Sequence, residues 1–204
     1  KANKPTQLGL CTGAPKSAMS TIDNGKLRST TDILTMNGWP NASLVASALN
    51  FLHRFDHNQV LGFHKKMPNA AIIPAVKSMA NKVDINWLSK TVYKTSLNTR
   101  LKRSDLFCAF YLIAVKYGED CLIEFSDKMN NGGDYSKSPT MVMTQIVARM
   151  QAQGRVPHRA YYFTMLLRGF DRWLNDEEMN QYREKSVVAD IQKYSKKYNT
   201  YINW

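Results

Sequence analysis

The sequence predicts a mainly α protein: a multi-helical single domain with a small irregular or β-containing amino-terminal piece. Apolar residues recur at three- and four-residue spacing along most of the chain after residue 29, as on the buried faces of helices. Capping residues and Asn-Gly or Gly-Gly pairs separate these periodic stretches. We therefore expect a lead-in over residues 1–28, a helical domain over residues 29–175 and a charged, helical carboxy-terminal tail over residues 176–204.

The lead-in is rich in Gly, Pro, Thr and Asn, and Asn24-Gly25 predicts a tight turn within it. The first helix is short: Ser29, Thr30 or Thr31 caps it, and it stops before Asn37-Gly38. A second helix carries the apolar spacing from Leu44 to Phe55 and ends near Asp56. The pair has the lengths of a helix-turn-helix, although two ordinary packed helices give the same pattern.

Four helices are predicted through the middle of the chain and two more beyond it. They cover about residues 69–80, 84–93, 106–116 and 119–129, and Ser104-Asp105 is the expected cap of the third. The next helix starts at Ser138-Pro139 and stops at Gln153-Gly154. The last core helix spans residues 159–174, and its Met and aromatic residues indicate a buried face.

The net charge of +12 is concentrated in the first half of the sequence. Residues 1–104 hold 15 basic and four acidic residues, a net charge of +11, whereas residues 105–204 hold 13 and 12, a net charge of +1. Such a field attracts polyanions, nucleic acid above all. The alternative is a basic solvated surface that serves solubility.

Candidate phosphate-binding residues lie at three places in this basic half. The first is the predicted turn, and the second is a loop after Arg54 that interleaves cations with Phe55 and Phe63, a pattern suited to phosphate contact and base stacking. The third is a run without acids ahead of the apolar helix. The predicted nucleic-acid-binding residues are Lys26, Arg28, Arg54, Lys65, Lys66, Lys90, Lys94, Arg100, Lys102 and Arg103.

Catalytic and cofactor signals are sparse. No phosphate-binding glycine loop, dinucleotide fingerprint, nucleophile elbow or zinc-protease helix occurs, so we expect no cofactor. His53, His57 and His64 fall within twelve residues, but without Cys or Glu among them they do not form a usual zinc site. A nuclease built from these histidines and Asp56 remains an alternative.

The cysteines and the hydropathy favour a cytoplasmic protein. Cys11, Cys108 and Cys121 are odd in number and lack CxxC spacing, which is typical of free thiols in a reducing compartment. No stretch approaches the roughly 18 apolar residues of a membrane span, and the start lacks the apolar core of a secretory signal. We expect no membrane association.

Residues 20–34, S-T-I-D-N-G-K-L-R-S-T-T-D-I-L, resemble a phage and prophage family that carries a ParB-like domain. Its members commonly read T-I-D-T-G-[KR]-x-R-[ST] followed by A-x-D-x-L. The D-G-Q-H-R-type motif that precedes this segment in the family is missing here, so no activity carries over. The resemblance implies the carboxy-terminal part of such a protein, DNA-associated and acting in a bacterial host cell.

We therefore expect a nucleic-acid-binding accessory protein of phage or mobile-element type, with DNA as the nucleic acid. The alternative is a protein-interaction or structural module of a larger ParB-like protein, forming a homo-oligomer or binding a protein partner. Salt-dependent binding of nucleic acid would favour the first hypothesis over the second, because phosphate contacts release counterions.

Overall fold

The computed structural model describes residues 28–56, 67–132, 135–155 and 157–202. Within these ranges the chain is helical and contains no strand, which confirms the predicted mainly α, multi-helical fold. Apart from Arg28, the predicted lead-in lies outside the described residues. The described elements are α1 (Thr30–Met36), α2 (Ala42–Asp56), α3 (Asn69–Lys82), α4 (Ile85–Lys94), a 3-10 helix (Ser96–Thr99), α5 (Arg103–Tyr117), α6 (Glu119–Asn130), α7 (Pro139–Ala152), α8 (Arg159–Leu174), a 3-10 helix (Glu184–Ser186) and α9 (Val187–Ile202).

Local capping chemistry sets several of the helix starts that the sequence predicts. Ser29 caps α1 in a capping box with Asp32, in which each side chain accepts a hydrogen bond from the other residue's backbone N–H. Asp84 caps α4 by accepting hydrogen bonds from the backbone of Asn86 and Trp87. Ser138 caps α7, which has a proline in its first turn.

The predicted cap at Ser104-Asp105 is wrong. Helix α5 begins at Arg103, and Lys102 occupies the N-cap position without a side-chain hydrogen bond to the helix. Ser104 and Asp105 lie inside the first turn and are buried. Both side chains instead bind Arg159 of α8, because a guanidinium is a stronger partner for a buried carboxylate than a backbone N–H.

Helix α5 forms the centre of the molecule. Its residues from Ser104 to Ala114 are all buried, and it packs against α2, α4, α6, α8 and α9. A helix that is apolar all round needs neighbours on every side, which explains this position. Helix α8 is nearly as buried, and the ring of Phe163 lies 4.9 Å from the rings of both Phe51 and Phe55 on α2.

Helix α9, in the segment expected to be a charged tail, covers one side of this core. It packs against α2, α5 and α8 and buries Tyr194 and Tyr198 completely. Tyr111 of α5 donates a hydrogen bond to the backbone carbonyl of Tyr201, with an O···O distance of 3.2 Å.

Helices α1, α2 and α3 pack together at one end of the described helices' sequence order, and α2 also contacts α5. The Asn50 side-chain amide donates to the Thr30 hydroxyl across 3.1 Å and so ties α1 to α2. Helix α1 packs against both α2 and α3, which leaves a cleft between the start of α1, the middle of α2 and the start of α3.

The helices of the described ranges include none with both the length and the apolar character that a membrane crossing needs.

Candidate functional site

The cleft between α1, α2 and α3 has a volume of about 850 Å³. Its walls combine hydroxyl groups of serine and threonine, two asparagine amides and three arginine side chains, and apolar atoms make up the larger part of the exposed lining. The described residues that line it are Arg28, Ser29, Thr30, Thr31, Ser43, Ala46, Ser47, Asn50, Arg54, Met67, Pro68, Asn69 and Arg159.

Arg54 is the cation of this cleft that lacks a counter-ion among the described residues. It lies in the last turn of α2, and its Nε donates to the Asn50 backbone carbonyl across 2.9 Å. Among the described residues no carboxylate lies within ion-pairing distance of it. Burial, and then the nearby Arg159 guanidinium, lower the pKa of Arg54. Burial disfavours the charged form of Arg54, and the positive charge of Arg159 adds to this effect.

Arg159, from the first turn of α8, is held in place by three neighbours. Its Nε lies 2.7 Å from Asp105 Oδ1, and its Nη2 donates to the Ser104 hydroxyl across 2.9 Å. Its guanidinium lies over the Phe51 ring, 4.8 Å from the centroid. The side chain therefore presents a fixed positive charge to the cleft.

Asp105 is the buried acid behind Arg159. Its side chain is 1% exposed, and its Oδ2 accepts no hydrogen bond from the described residues. Burial raises its pKa, and the Arg159 guanidinium opposes that rise. One turn further along α5, burial raises the pKa of the Cys108 thiol well above its ordinary value, so this cysteine is not an activated nucleophile.

Two asparagines of the cleft have buried amide atoms without a partner. Asn50 donates through Nδ2 to Thr30 and to the backbone of Ala46, whereas its Oδ1 accepts no hydrogen bond from the described chain. The Nδ2 group of Asn69 likewise donates to no described residue. Buried amide atoms left unsatisfied are costly, so each marks a position where a polar ligand atom is favoured.

A second depression, of about 350 Å³, adjoins the cleft through Arg159. Arg100, Lys102 and Arg155 line it together with Arg159 and Asp105. The loop that carries Arg100 is held by Gln151 of α7, whose Nε2 donates to the Arg100 backbone carbonyl across 3.1 Å. The two concavities thus share a wall made by one arginine.

A third depression, of about 380 Å³, adjoins the second through Arg155. Arg149 and Arg183 line it as well, and the acid there, Glu184, is paired with Arg155 at 2.7 Å. We call these three linked concavities the basic track. Its described cations are Arg28, Arg54, Arg100, Lys102, Arg149, Arg155, Arg159 and Arg183, and its described acids are Asp105 and Glu184.

The ten residues predicted from the sequence divide into three groups. Arg28, Arg54, Arg100 and Lys102 line the basic track. Exposed side chains outside its lining are those of Lys90, Lys94 and Arg103, and the Arg103 guanidinium lies over the Tyr93 ring, 4.7 Å from the centroid. Lys26, Lys65 and Lys66 lie outside the described residues.

Half of the track's cations come from the second half of the sequence and were missed. The net charge of residues 105–204 is close to zero, so the overall charge distribution does not indicate these four residues, which are Arg149, Arg155, Arg159 and Arg183. A narrower window shows a signal: residues 135–170 contain five basic residues and no acidic one. The acids of this half are concentrated elsewhere in the sequence.

The described residues include only part of the alternative nuclease site of histidines and Asp56. His53 and Asp56 lie at the end of α2, whereas His57 and His64 fall outside the described residues. Among the described residues, no group of three His, Cys, Asp or Glu side chains is arranged to hold a metal ion.

No family model, no curated protein and no solved structure matches this chain.

Proposed function

We propose that this protein binds nucleic acid along the basic track, as an accessory protein of phage or mobile-element type. The observation that supports this most is the linkage of three concavities through shared arginines, Arg159 between the first two and Arg155 between the last two. A polyanion needs a succession of cations, and the arginine fork suits phosphate oxygens.

The charge balance along the track favours a phosphate backbone as the ligand. Its eight described cations face two described acids, and each of those acids is already paired with an arginine of the track. The pair with buried Asp105 fixes Arg159 in place, and Arg54, Arg100 and Lys102 remain to contact phosphates. Backbone contacts of this kind carry no sequence information.

The aromatic residues of the track do not serve as stacking platforms. The described rings of the lining, Tyr161, Tyr162 and Tyr182, are 1%, 9% and 6% exposed, and the Tyr161 hydroxyl donates to the Tyr182 backbone carbonyl across 2.9 Å. Buried rings are not accessible to bases, so phosphates are the expected contacts, and such contacts tolerate any sequence. The resemblance of residues 20–34 to ParB-like phage proteins favours DNA over RNA.

The test is binding of labelled single- and double-stranded DNA and RNA at two salt concentrations. If the protein makes four phosphate contacts, raising the salt concentration from about 50 to about 200 mM should weaken the affinity roughly a hundredfold. The proposal is contradicted if the affinity does not change with salt, or if nothing binds at about 50 mM salt. Either result would favour the protein-interaction module, in which the positive charge serves solubility.

A pair of matched double variants locates the binding surface. Arg100→Glu with Lys102→Glu reverses two exposed charges of the track, whereas Lys77→Glu with Lys196→Glu reverses two exposed charges that line none of its concavities. We expect the first pair to weaken binding at least tenfold and to reduce the slope of log affinity against log salt concentration by about two. The second pair should change the affinity and the slope far less. Equal losses would show a diffuse charge effect instead.

A further inference from the structure

We infer that the cleft at the start of the basic track binds the phosphate group of a nucleotide, with Arg54 as its principal anion-binding group. This inference deepens the proposed function and rests on it, because it assigns one part of the track a ligand smaller than a nucleic-acid strand. The ligand is a nucleoside monophosphate unit, either free or at the end of a strand.

The arrangement of charge in the cleft calls for an anion. Arg159 already shares its charge with Asp105 across 2.7 Å, whereas Arg54 has no carboxylate partner among the described residues. Of these two neighbouring guanidinium groups only Arg159 has a carboxylate partner among the described residues, so the part of the cleft beside Arg54 carries an excess of positive charge. A phosphate group would offset this excess and accept hydrogen bonds from the Arg54 fork.

The start of α3 adds a second anion-binding feature to the same cleft. Pro68 at the N-cap position gives this 14-residue helix no side-chain hydrogen bond, and both Pro68 and Asn69 line the cleft. The first N–H groups of a helix lack intrahelical acceptors, and the helix dipole places partial positive charge there. The Arg54 guanidinium and the α3 terminus therefore favour the same kind of ligand.

The size and the remaining polar groups favour a nucleotide over a bare phosphate ion. A volume of about 850 Å³ lies in the range that drug-sized ligands and cofactors occupy. Asn50 Oδ1 and Asn69 Nδ2 have no hydrogen-bond partner among the described residues, and the hydroxyl groups of Ser43 and Ser47 lie in the same wall. The apolar part of the cleft lining adds surface for a sugar or base.

The experiment is calorimetric titration with each of the four ribonucleoside 5′-monophosphates, with the matching nucleosides and with inorganic phosphate. We expect at least one monophosphate to bind, inorganic phosphate to bind more weakly, and its nucleoside to bind at least tenfold more weakly than the monophosphate. If no monophosphate binds better than its nucleoside, the inference is overturned.

Arg54→Gln removes the proposed anion-binding charge, and Lys77→Gln is the matched control, since it removes one exposed charge that lines none of the track's concavities. We expect Arg54→Gln to weaken monophosphate binding at least tenfold and the control to leave it unchanged. Equal binding by Arg54→Gln and the native chain would overturn the inference. Asn69→Ala is the second variant, and it should weaken the monophosphate more than inorganic phosphate.

Two single strands of the same sequence, one with a 5′-phosphate and one with a 5′-hydroxyl, distinguish the sources of the nucleotide. Preference for the phosphorylated strand that disappears in Arg54→Gln assigns the cleft to strand ends, and equal affinity assigns it to free nucleotides. Salt-dependent DNA binding without monophosphate binding would overturn this inference alone. Monophosphate binding without DNA binding would overturn the proposed function alone.

Discussion

Arg159 connects three helices through one side chain. It binds the buried carboxylate of Asp105 on α5, lies over the Phe51 ring on α2, and separates the first two concavities of the basic track. A buried carboxylate is stable only with a cation or a set of hydrogen-bond donors beside it. The residue that supports the core therefore also forms the wall shared by two concavities of the basic track.

Replacement of Arg159 by Met should make stability depend on pH through Asp105. The variant keeps much of the packing but leaves a buried carboxylate unpaired, which costs about 3–5 kcal/mol near neutral pH. Burial already raises the pKa of Asp105 above its ordinary value of 3.8, and loss of the guanidinium raises it further. Because the folded state then holds the proton more tightly than the unfolded chain, stability falls as the pH rises above that value and recovers on acidification.

Urea unfolding at about pH 5 and about pH 7 measures this effect. We expect Arg159→Met to lose less stability at the lower pH, and Asp105→Asn combined with Arg159→Met to remove the difference between the two. A loss that is the same at both pH values and unrelieved by Asp105→Asn would show that Arg159 acts on stability through packing against Phe51 alone.

At the scale of the elements, backbone geometry at helix ends decides how consecutive helices meet. Gly118 joins α5 to α6 with φ of +92° and ψ of 163°, a conformation essentially confined to glycine. Gly154 follows α7 with φ of +63°, and the N–H of Arg155 donates to the carbonyl of Met150. That pattern is a Schellman ending, which asparagine also adopts.

The two glycines should therefore respond differently to the same substitution. A Cβ at either position meets no atom within 4 Å, so any cost comes from the backbone. We expect Gly118→Asn to lower the free energy of unfolding by about 1–3 kcal/mol and Gly154→Asn to change it by less than about 1 kcal/mol. Chemical denaturation measures both, and similar losses would contradict the backbone explanation.

At the scale of the whole molecule, the stability of the fold depends on helix α9. Helix α9 packs against α2, α5 and α8 and contributes the buried side chains of Tyr194, Tyr198 and Ile202. Each large apolar side chain that folding buries contributes about 1.5–3 kcal/mol. Since the net stability of a domain is only about 5–15 kcal/mol, loss of this helix removes a large part of it.

Deletion of residues 187–204 should abolish the cooperative thermal transition or lower its midpoint by more than about 10 °C. Circular dichroism during heating measures this, and Asn199→Ala, at an exposed position of the same helix, is the control with an unchanged midpoint. A truncated chain that melts at the native midpoint would show that residues 187–204 are a dispensable addition to the core.

The sequence by itself determined the helical fold and most helix boundaries, because spacing, caps and breakers act within a few residues. Helix α8 begins and ends at the predicted residues 159 and 174. Only the tertiary structure decided that Ser104 and Asp105 bind Arg159 instead of capping α5, because that choice depends on a partner 54 residues away from Asp105.

The candidate site divides in the same way. Composition indicated a basic protein and drew attention to Arg28, Arg54, Arg100 and Lys102, because local clusters of charge are visible in a sequence. Only the folded chain shows that these four share a surface with Arg149, Arg155, Arg159 and Arg183. Electrostatic fields add through space, so packing decides which cations share a surface and which of them are already paired.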